Sequence, residues 1–118
     1  MVTSVLLTGA AGRVGRAILG GLDQEYDWRL LDREPATGGI ADDHEYVIAD
    51  ITDTDTIREA MDGIDVVVHL AGDPRPEAPW DSVLTNNIDG TNTVFETAFD
   101  AGDLDSISRG VANTEACR

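Results

Sequence analysis

The stretch "VLLTGAAGRVGRAI", residues 5–18, puts three glycines into seven positions between an apolar run and a helix-like run. Few folds accept that arrangement. Val2 to Thr8 is β-rich and apolar and reads as a buried first strand. Arg13 to Leu22 then carries Val14, Ala17, Ile18 and Leu22 at helical spacing, and Gly20-Gly21 weakens the end of that helix. Gly9, Gly12 and Gly15 form G-x-x-G-x-x-G at the turn between them. Glycine tolerates the dihedrals of a tight turn and lets a phosphate reach main-chain N–H groups with no Cβ in the way. The helix N-terminus adds N–H donors and positive dipole character. Gly15 would let the helix pack closely on the sheet. A tight strand-to-helix corner is the bland alternative. The spacing alone does not choose, because it departs by one residue from G-x-G-x-x-G.

The remaining chain alternates in the same way. Trp28 to Leu31 is a second short strand ended by Asp32-Arg33, and residues 34–44 form a loop rich in Pro, Gly and Asp. Glu45 to Ala49 is a third strand. Asp53 can cap a helix running to about Met61, with Ile57, Ala60 and Met61 inward and Gly63 as its stop. "IDVVVHL", Ile64 to Leu70, is a near-continuous apolar run, as a parallel strand covered on both faces should be. After the Pro-rich "AGDPRPEAPW", a long helix from about Asn86 to Ala101 places Ile88, Val94, Phe95, Ala98 and Phe99 on one side, and Gly102 ends it. This alternation predicts an α/β fold: a parallel sheet with right-handed crossovers and helices on both faces. Residues 103–118, "DLDSISRGVANTEACR", supply Leu104, Ile107 and Val111 among polar residues and make a weak strand at best.

Composition narrows the partners. Asp and Glu number 23 against eight basic residues, all of them Arg, and the net charge is −15. Such a chain repels itself at low ionic strength, repels nucleic acid and anionic membranes, and reads as a folded protein adapted to high salt. An acidic surface kept for solubility is the plainer reading. Neither a basic leader nor an apolar run near the ~20 residues of a membrane helix is present, so a cytoplasmic protein is the expectation. The lone Cys117 excludes an intramolecular disulfide and reads as a bystander thiol. No metal-ligand set is read.

Context turns the glycine motif towards a dinucleotide. An acid follows it by about 20 residues, at the end of the second strand. That acid, Asp32, can accept both hydroxyls of an adenosine ribose and would repel a 2′-phosphate, favouring NAD over NADP. Arg33 beside it can stack on adenine or bind a 2′-phosphate. The plainer reading of Asp32 is an exposed turn residue. Asp50-Ile51 follows the third strand, where the carboxylate can accept from an adenine amino group or merely organise the approach to the next helix. His69-Leu70-Ala71-Gly72 ends the fourth strand and borders the crevice where open α/β sheets bind ligands. Small residues there let a ribose lie near the backbone, and His69 reads as a satisfied strand-end histidine. One of Asn86 and Asn87 can stitch the long helix to the sheet, with helix capping as the alternative.

Jointly, "TGAAGRVG", "LLDR", "ADITD", "DVVVHLAG" and "NNIDGTNTVFETAFDAG" resemble the extended short-chain dehydrogenase/reductases, in the NAD-dependent epimerase/dehydratase branch. The likeness runs over roughly residues 3 to 102 and, within the branch, leans to sugar or uronate dehydrogenases and halophilic relatives. It implies a Rossmann-type doubly wound parallel sheet, truncated after the fourth strand and following helix. Residues 1–102 would be an incomplete NAD(P)-binding domain, and 103–118 an atypical tail. It further implies NAD pyrophosphate on Gly9 to Gly15, with main-chain contacts from Arg13 and Val14. Asp32 falls to ribose, Asp50 and Ile51 to adenine, Leu70, Ala71 and Gly72 to the middle of the cofactor, and Asn87 to the nicotinamide side. Substrate contacts would come partly from residues 73–80. The family's chemistry uses a Tyr four residues before a Lys, and this sequence has no Lys, while Tyr26 and Tyr46 lie early. The expected chain therefore binds NAD as part of a sugar- or sugar-acid-directed oxidoreductase and has no catalytic residue of its own. A stand-alone dinucleotide-binding module and a non-functional truncated fragment are the alternatives. Helix-mediated homo-oligomers are a further possibility of the family.

Overall fold

A computed structural model describes residues 2–36, 39, 43–72, 77–100 and, through the backbone alone, 105–108. The first strand, β1 (Ser4–Thr8), lies mid-sheet and pairs in parallel with β2 (Asp27–Asp32) on one side and β4 (Val66–His69) on the other. The strand β3 (Glu45–Ile48) lies beyond β2, and β5 (Asp105–Ser108) beyond β4. The order is β3-β2-β1-β4-β5, every pairing parallel. This is the parallel sheet that the alternation predicts, in the Rossmann-type doubly wound form that the resemblance implies. Its strand order reverses between β1 and β4, and there a crevice opens beyond the carboxyl ends of the strands.

The sheet does not stop at the fourth strand. β5 falls inside the segment read as an atypical tail and keeps register with β4 from Val66↔Asp105 to His69↔Ser108. Main-chain hydrogen bonds hold a parallel edge strand, and the polar run Asp-Ser-Ile-Ser makes them without the apolar pattern that marks an inner strand. The weak-strand reading of this stretch therefore becomes a real, short strand. Residues 101–104 and 109–118, with Cys117 among them, lie outside the described residues.

Alternation along the strands sends side chains to two separate cores. Val5, Leu7, Trp28 and Leu30 face α1 (Arg13–Leu22) and meet its Leu19. Leu6, Leu31 and Val67 face the opposite layer, where Ile57, Ala60 and Met61 pack. Those three residues belong to α2 (Thr54–Ala60) and its C-cap and are buried as their spacing predicts. Asp53 caps α2 as expected, accepting the Thr56 N–H at 3.3 Å and the Thr56 hydroxyl at 2.8 Å. Gly63, at φ +76, turns the chain back towards β4. Arg29 of β2 ties the end of α2 to the sheet. Its Nη1 donates to the carbonyls of Ala60 and Asp62, both at 2.7 Å, while its Nε sits 2.7 Å from the Glu45 carboxylate on β3.

Two helical faces differ from the periodicity. In α1 the buried positions are Gly15 and Leu19, with Val14 and Ile18 half-buried, whereas Ala17 and Leu22 face solvent. The Leu22 carbonyl instead accepts the Trp28 indole N–H at 2.9 Å, closing the end of α1 on β2. The last helical run starts earlier than the sequence suggests. It opens after Pro79 as α3 (Trp80–Ser82), widens into a π-helical stretch over Val83–Asp89, and continues as α4 (Gly90–Asp100). Gly90, Val94, Thr97 and Ala98 face the sheet, while Ile88, Phe95 and Phe99 point outward, Phe99 at 86% exposure. The cause is close approach: a Cβ on Gly90 would run into the Ile51 side chain. Gly90, Val94, Thr97 and Ala98 thus line the inner face, and the large apolar Trp80, Leu84 and Ile88 are left exposed with Phe95 and Phe99. No helix among the described residues is long and apolar enough to cross a membrane.

Candidate functional site

The glycine turn is built by the end of β1. Gly9 stands at φ +73, and its N–H donates to the Leu31 carbonyl at 2.8 Å. A Cβ there would lie 2.8 Å from the Ala71 nitrogen and 2.9 Å from the Leu70 carbonyl carbon, so β4's exit presses directly on the turn. At Gly15 a Cβ would lie 2.7 Å from the Gly9 oxygen and 2.8 Å from the Ala10 oxygen. Both positions need glycine for space, and Gly9 also for its dihedral. Gly12 is the N-cap of α1, with no side-chain cap, and the first turn of α1 carries no acidic residue. The first amides of a helix lack intrahelical acceptors. Here nothing acidic on the helix competes for them.

A cleft of about 590 Å³ opens above this turn, at the strand-order reversal. Gly9, Gly12, Arg13, Val14 and Gly15 form its glycine-loop wall. Asp32 and Arg33 line the end next to β2, and Asp50 and Ile51 the end next to β3. Leu70, Ala71 and Gly72 line the side next to β4. Residues read separately from the sequence are thus brought to one cavity of ligand-sized volume. Ala11, Arg16, Glu34 and Pro35 line it too and were not singled out by sequence, and so does Asn86, read from the sequence only as a stitch or cap of the long helix. Ala11 lies between Gly9 and Gly12, Arg16 directly follows Gly15, and Glu34-Pro35 directly follow Asp32-Arg33. Their adjacency to the motif is the signal that would have found them.

Asn87 is not part of the lining; its neighbour Asn86 is. Nor does the pair open a helix: both lie inside the π-helical stretch, seven residues long, that follows α3. A π-helical turn holds more residues per turn than an α-helix, so a 3.6-residue wheel misplaces which of two adjacent residues faces inward. Asn86 Nδ2 donates to Ser82 Oγ at 3.1 Å, a bond within the helical run rather than a stitch to the sheet. Of the loop at 73–80, residues 73–76 lie outside the described residues.

Asp32 is more than a turn residue. One carboxylate oxygen, Oδ2, accepts the Ala11 N–H at 2.9 Å; the other, Oδ1, accepts the Glu34 N–H at 3.0 Å. The side chain thus bridges the glycine loop and the turn after β2. Asp50 Oδ1 accepts both the N–H and the hydroxyl of Thr52 at 2.9 Å. The Thr52 N–H holds the Asp50 carboxyl below its ordinary pKa, with the Thr52 hydroxyl and the Arg33 guanidinium adding to the effect against the cost of burial. Asp50 therefore organises the approach to α2, and Asp53, not Asp50, caps it.

His69 is 2% exposed and closes a buried chain of hydrogen bonds. Thr8 Oγ1 accepts the N–H groups of Leu70 at 3.0 Å and Ala71 at 3.2 Å. Both lone pairs of that hydroxyl are then used, so its proton goes to His69 Nδ1, 2.7 Å away. His69 Nε2 must carry the ring proton and donates to Thr91 Oγ1 at 3.1 Å. Burial lowers the His69 pKa to about 4, in keeping with a neutral ring. The histidine is a satisfied strand-end residue, and its chain of bonds holds Leu70 and Ala71 at the cleft.

Comparison with known proteins matches residues 5–107 to the family model for the NAD dependent epimerase/dehydratase family. The chain belongs to that family. Within it, this chain is 61% identical over 102 residues to the NAD-dependent glucose-6-phosphate dehydrogenase of Haloferax volcanii, across 83% of this chain and 39% of that enzyme. It is 42% identical over 103 residues to the L-arabinose 1-dehydrogenase (NAD(P)(+)) of the same organism, across 87% and 38%. A uronate dehydrogenase mutant from Agrobacterium tumefaciens, solved in complex with NAD, superposes with a TM-score of 0.79 at 29% identity, covering 92% of this chain and 40% of that one. The chain therefore spans 38 to 40% of the length of these epimerase/dehydratase-family relatives.

Proposed function

We propose that this chain is the NAD-binding portion of a dehydrogenase acting on a sugar or sugar acid, and that alone it holds the cofactor without turning it over. The observation that carries the reading is the single cleft in which the glycine loop, Asp32, Asp50-Ile51 and Leu70–Gly72 meet. The cradle fits the group, because its walls are main chain where a Cβ at Gly9 or Gly15 would collide. The first amides of α1 would hold the pyrophosphate, next to Arg13 and Arg16. Asp32 would accept the adenosine ribose hydroxyls, Asp50 and Ile51 would meet adenine, and Leu70 to Gly72 would flank the middle of the dinucleotide. When bound, NAD supplies the hydride acceptor. The Asp32 carboxylate disfavours a 2′-phosphate, which favours NAD over NADP, with Arg33 opposing the preference. Supporting the substrate class are the relatives, named for glucose 6-phosphate, arabinose and uronate.

The Tyr and Lys that the family uses for proton transfer have no counterpart here. The sequence holds no Lys; Tyr26 is 40% exposed and stacks edge-on against Trp28 at 5.6 Å, and Tyr46 is not part of the cleft lining. Calorimetric titration with NAD and NADP in molar potassium chloride tests the reading. Expected is binding at micromolar NAD and weaker binding of NADP, with no NADH formed from glucose 6-phosphate or glucuronate. A cooperatively folded chain that ignores NAD overturns the binding role. Formation of NADH overturns the inactivity.

A further inference from the structure

Asp32 is held by the N–H groups of two residues, and the next peptide group along the chain from each is held in turn by a side chain. Its oxygens accept the N–H groups of Ala11 and Glu34. The carbonyls of the same two residues accept from side chains: Arg16 Nε donates to the Ala11 carbonyl at 3.0 Å, and the Tyr46 hydroxyl donates to the Glu34 carbonyl at 2.7 Å. A carboxylate has about four lone-pair sites. One site on each oxygen is taken by these N–H groups. The second on each is what two adjacent hydroxyls would use, and rotating the carboxylate away from them breaks both N–H bonds.

We propose that Tyr46 and Arg16 are positioning residues that fix the Asp32 carboxylate for the vicinal diol of an adenosine ribose. This rests on the reading of the cleft as a dinucleotide site. Tyr46 acts only through Glu34, for it does not line the cleft. Its ring packs against the core on the α1 side of the sheet, from a half-buried position on β3, so the hydroxyl has a fixed place. Burial first, and then the charges of Asp32 and Glu34, raise the phenol pKa against the opposing pull of Arg16, so the hydroxyl keeps its proton and stays a donor at neutral pH. Arg16 lines the cleft and would also meet the cofactor's phosphates, which makes Tyr46 the cleaner residue to change.

The test compares ADP with 2′,3′-dideoxy-ADP on the wild-type chain and on Tyr46→Phe, in molar salt. Expected is a loss of about five- to tenfold in ADP affinity on Tyr46→Phe, the scale of one neutral hydrogen bond. The dideoxy nucleotide, which has no hydroxyls for Asp32, is expected to bind both proteins within about twofold. In the ligand-free chain, hydrogen exchange of the Glu34 amide should quicken in Tyr46→Phe while the β1 amides are unchanged. Equal loss on both nucleotides would mean general loosening and overturns the proposal, as does unchanged ADP affinity or an unchanged Glu34 amide. If the wild-type chain binds neither nucleotide, the dinucleotide reading itself falls and takes this inference with it. Binding by wild type with no effect of the variant sinks this inference alone.

Discussion

Replacing Gly15 by alanine sets two effects of opposite sign against each other in one helix. Alanine in a helix interior is favoured over glycine by about 1 kcal/mol. Against that, the new Cβ would sit 2.7 Å from the Gly9 oxygen, 2.8 Å from the Ala10 oxygen and 2.9 Å from the Ala10 Cα. Non-bonded carbon contacts are comfortable at about 3.5 Å, so the loop must yield by more than half an ångström. All three obstacles are backbone, which cannot swing aside as a side chain does. Overpacking of this kind costs about 1–3 kcal/mol. Gly20 is the internal control. It lies on the same helix, and nothing comes within 4 Å of a Cβ built there. Gly20→Ala should therefore gain about 0.5–1 kcal/mol, and Gly15→Ala should end about 1–3 kcal/mol less stable than Gly20→Ala, since the propensity gain is common to both. Urea unfolding followed by far-ultraviolet circular dichroism at fixed potassium chloride reads the difference, provided the two m-values agree. Gly15→Ala as stable as Gly20→Ala would refute the close approach of α1 to the turn.

Other outcomes follow from the same geometry. His69 has its folded pKa lowered to about 4, so below pH ~6.5 the unfolded chain takes up the proton first. Its contribution is complete above that pH and is lost as pH falls towards 4. The gap, at ~1.4 kcal/mol per pH unit, amounts to about 3 kcal/mol. Stability measured from pH 7 to 4.5 should fall more steeply in the wild type than in His69→Asn, and parallel profiles would contradict the neutral buried ring. Thr8→Val keeps the shape but strands the Ala71 N–H and His69 Nδ1, while the Leu70 N–H keeps the Thr8 main-chain carbonyl, and should cost about 1–3 kcal/mol in a urea melt, with Thr8→Ser retaining most of that stability. Val94→Ala should cost about 1–3 kcal/mol and Phe99→Ser less than about 0.5 kcal/mol, because Val94 is 1% exposed and Phe99 86%. The reverse ranking would mean α4 is turned the other way.

What could be read from the sequence was whatever depended on backbone chemistry next to a strong local signal. The bounds of α1 follow from glycines before it and apolar spacing within it, and the Asp53 cap and Gly63 stop of α2 are equally local. Asp32 was legible by position; its double anchorage was not, because Ala11 and Glu34 supply main-chain N–H groups that no residue type advertises. The start of the last helix was hidden by the prolines around it, one of which, Pro79, is its N-cap. Periodicity put Phe95 and Phe99 in the core because they are large and apolar. Gly90 instead packs against the Ile51 side chain, and Val94, Thr97 and Ala98 take the inner face. The residues alone left Asn86 and Asn87 open, the resemblance pointed to Asn87, and the π-helical stretch that carries both is not legible in the sequence. The fifth strand carries no apolar alternation and exists through pairing with β4, a neighbour far away in sequence.

The pressure of β4's exit on Gly9 also fixes an order of events in folding. Thr8 and His69 are joined across a sequence separation of 61, and the main chain of Ala71 fills the space beside Gly9. Closing so long a loop is the slow step for parallel sheets, since its entropy is lost before the contact is gained. Until the β1–β4 register locks, the glycine turn has no wall to lean on, and α1 can form without a cradle beneath it. The cradle therefore matures last, and the slowest refolding phase should be the one in which the chain first acquires affinity for a nucleotide.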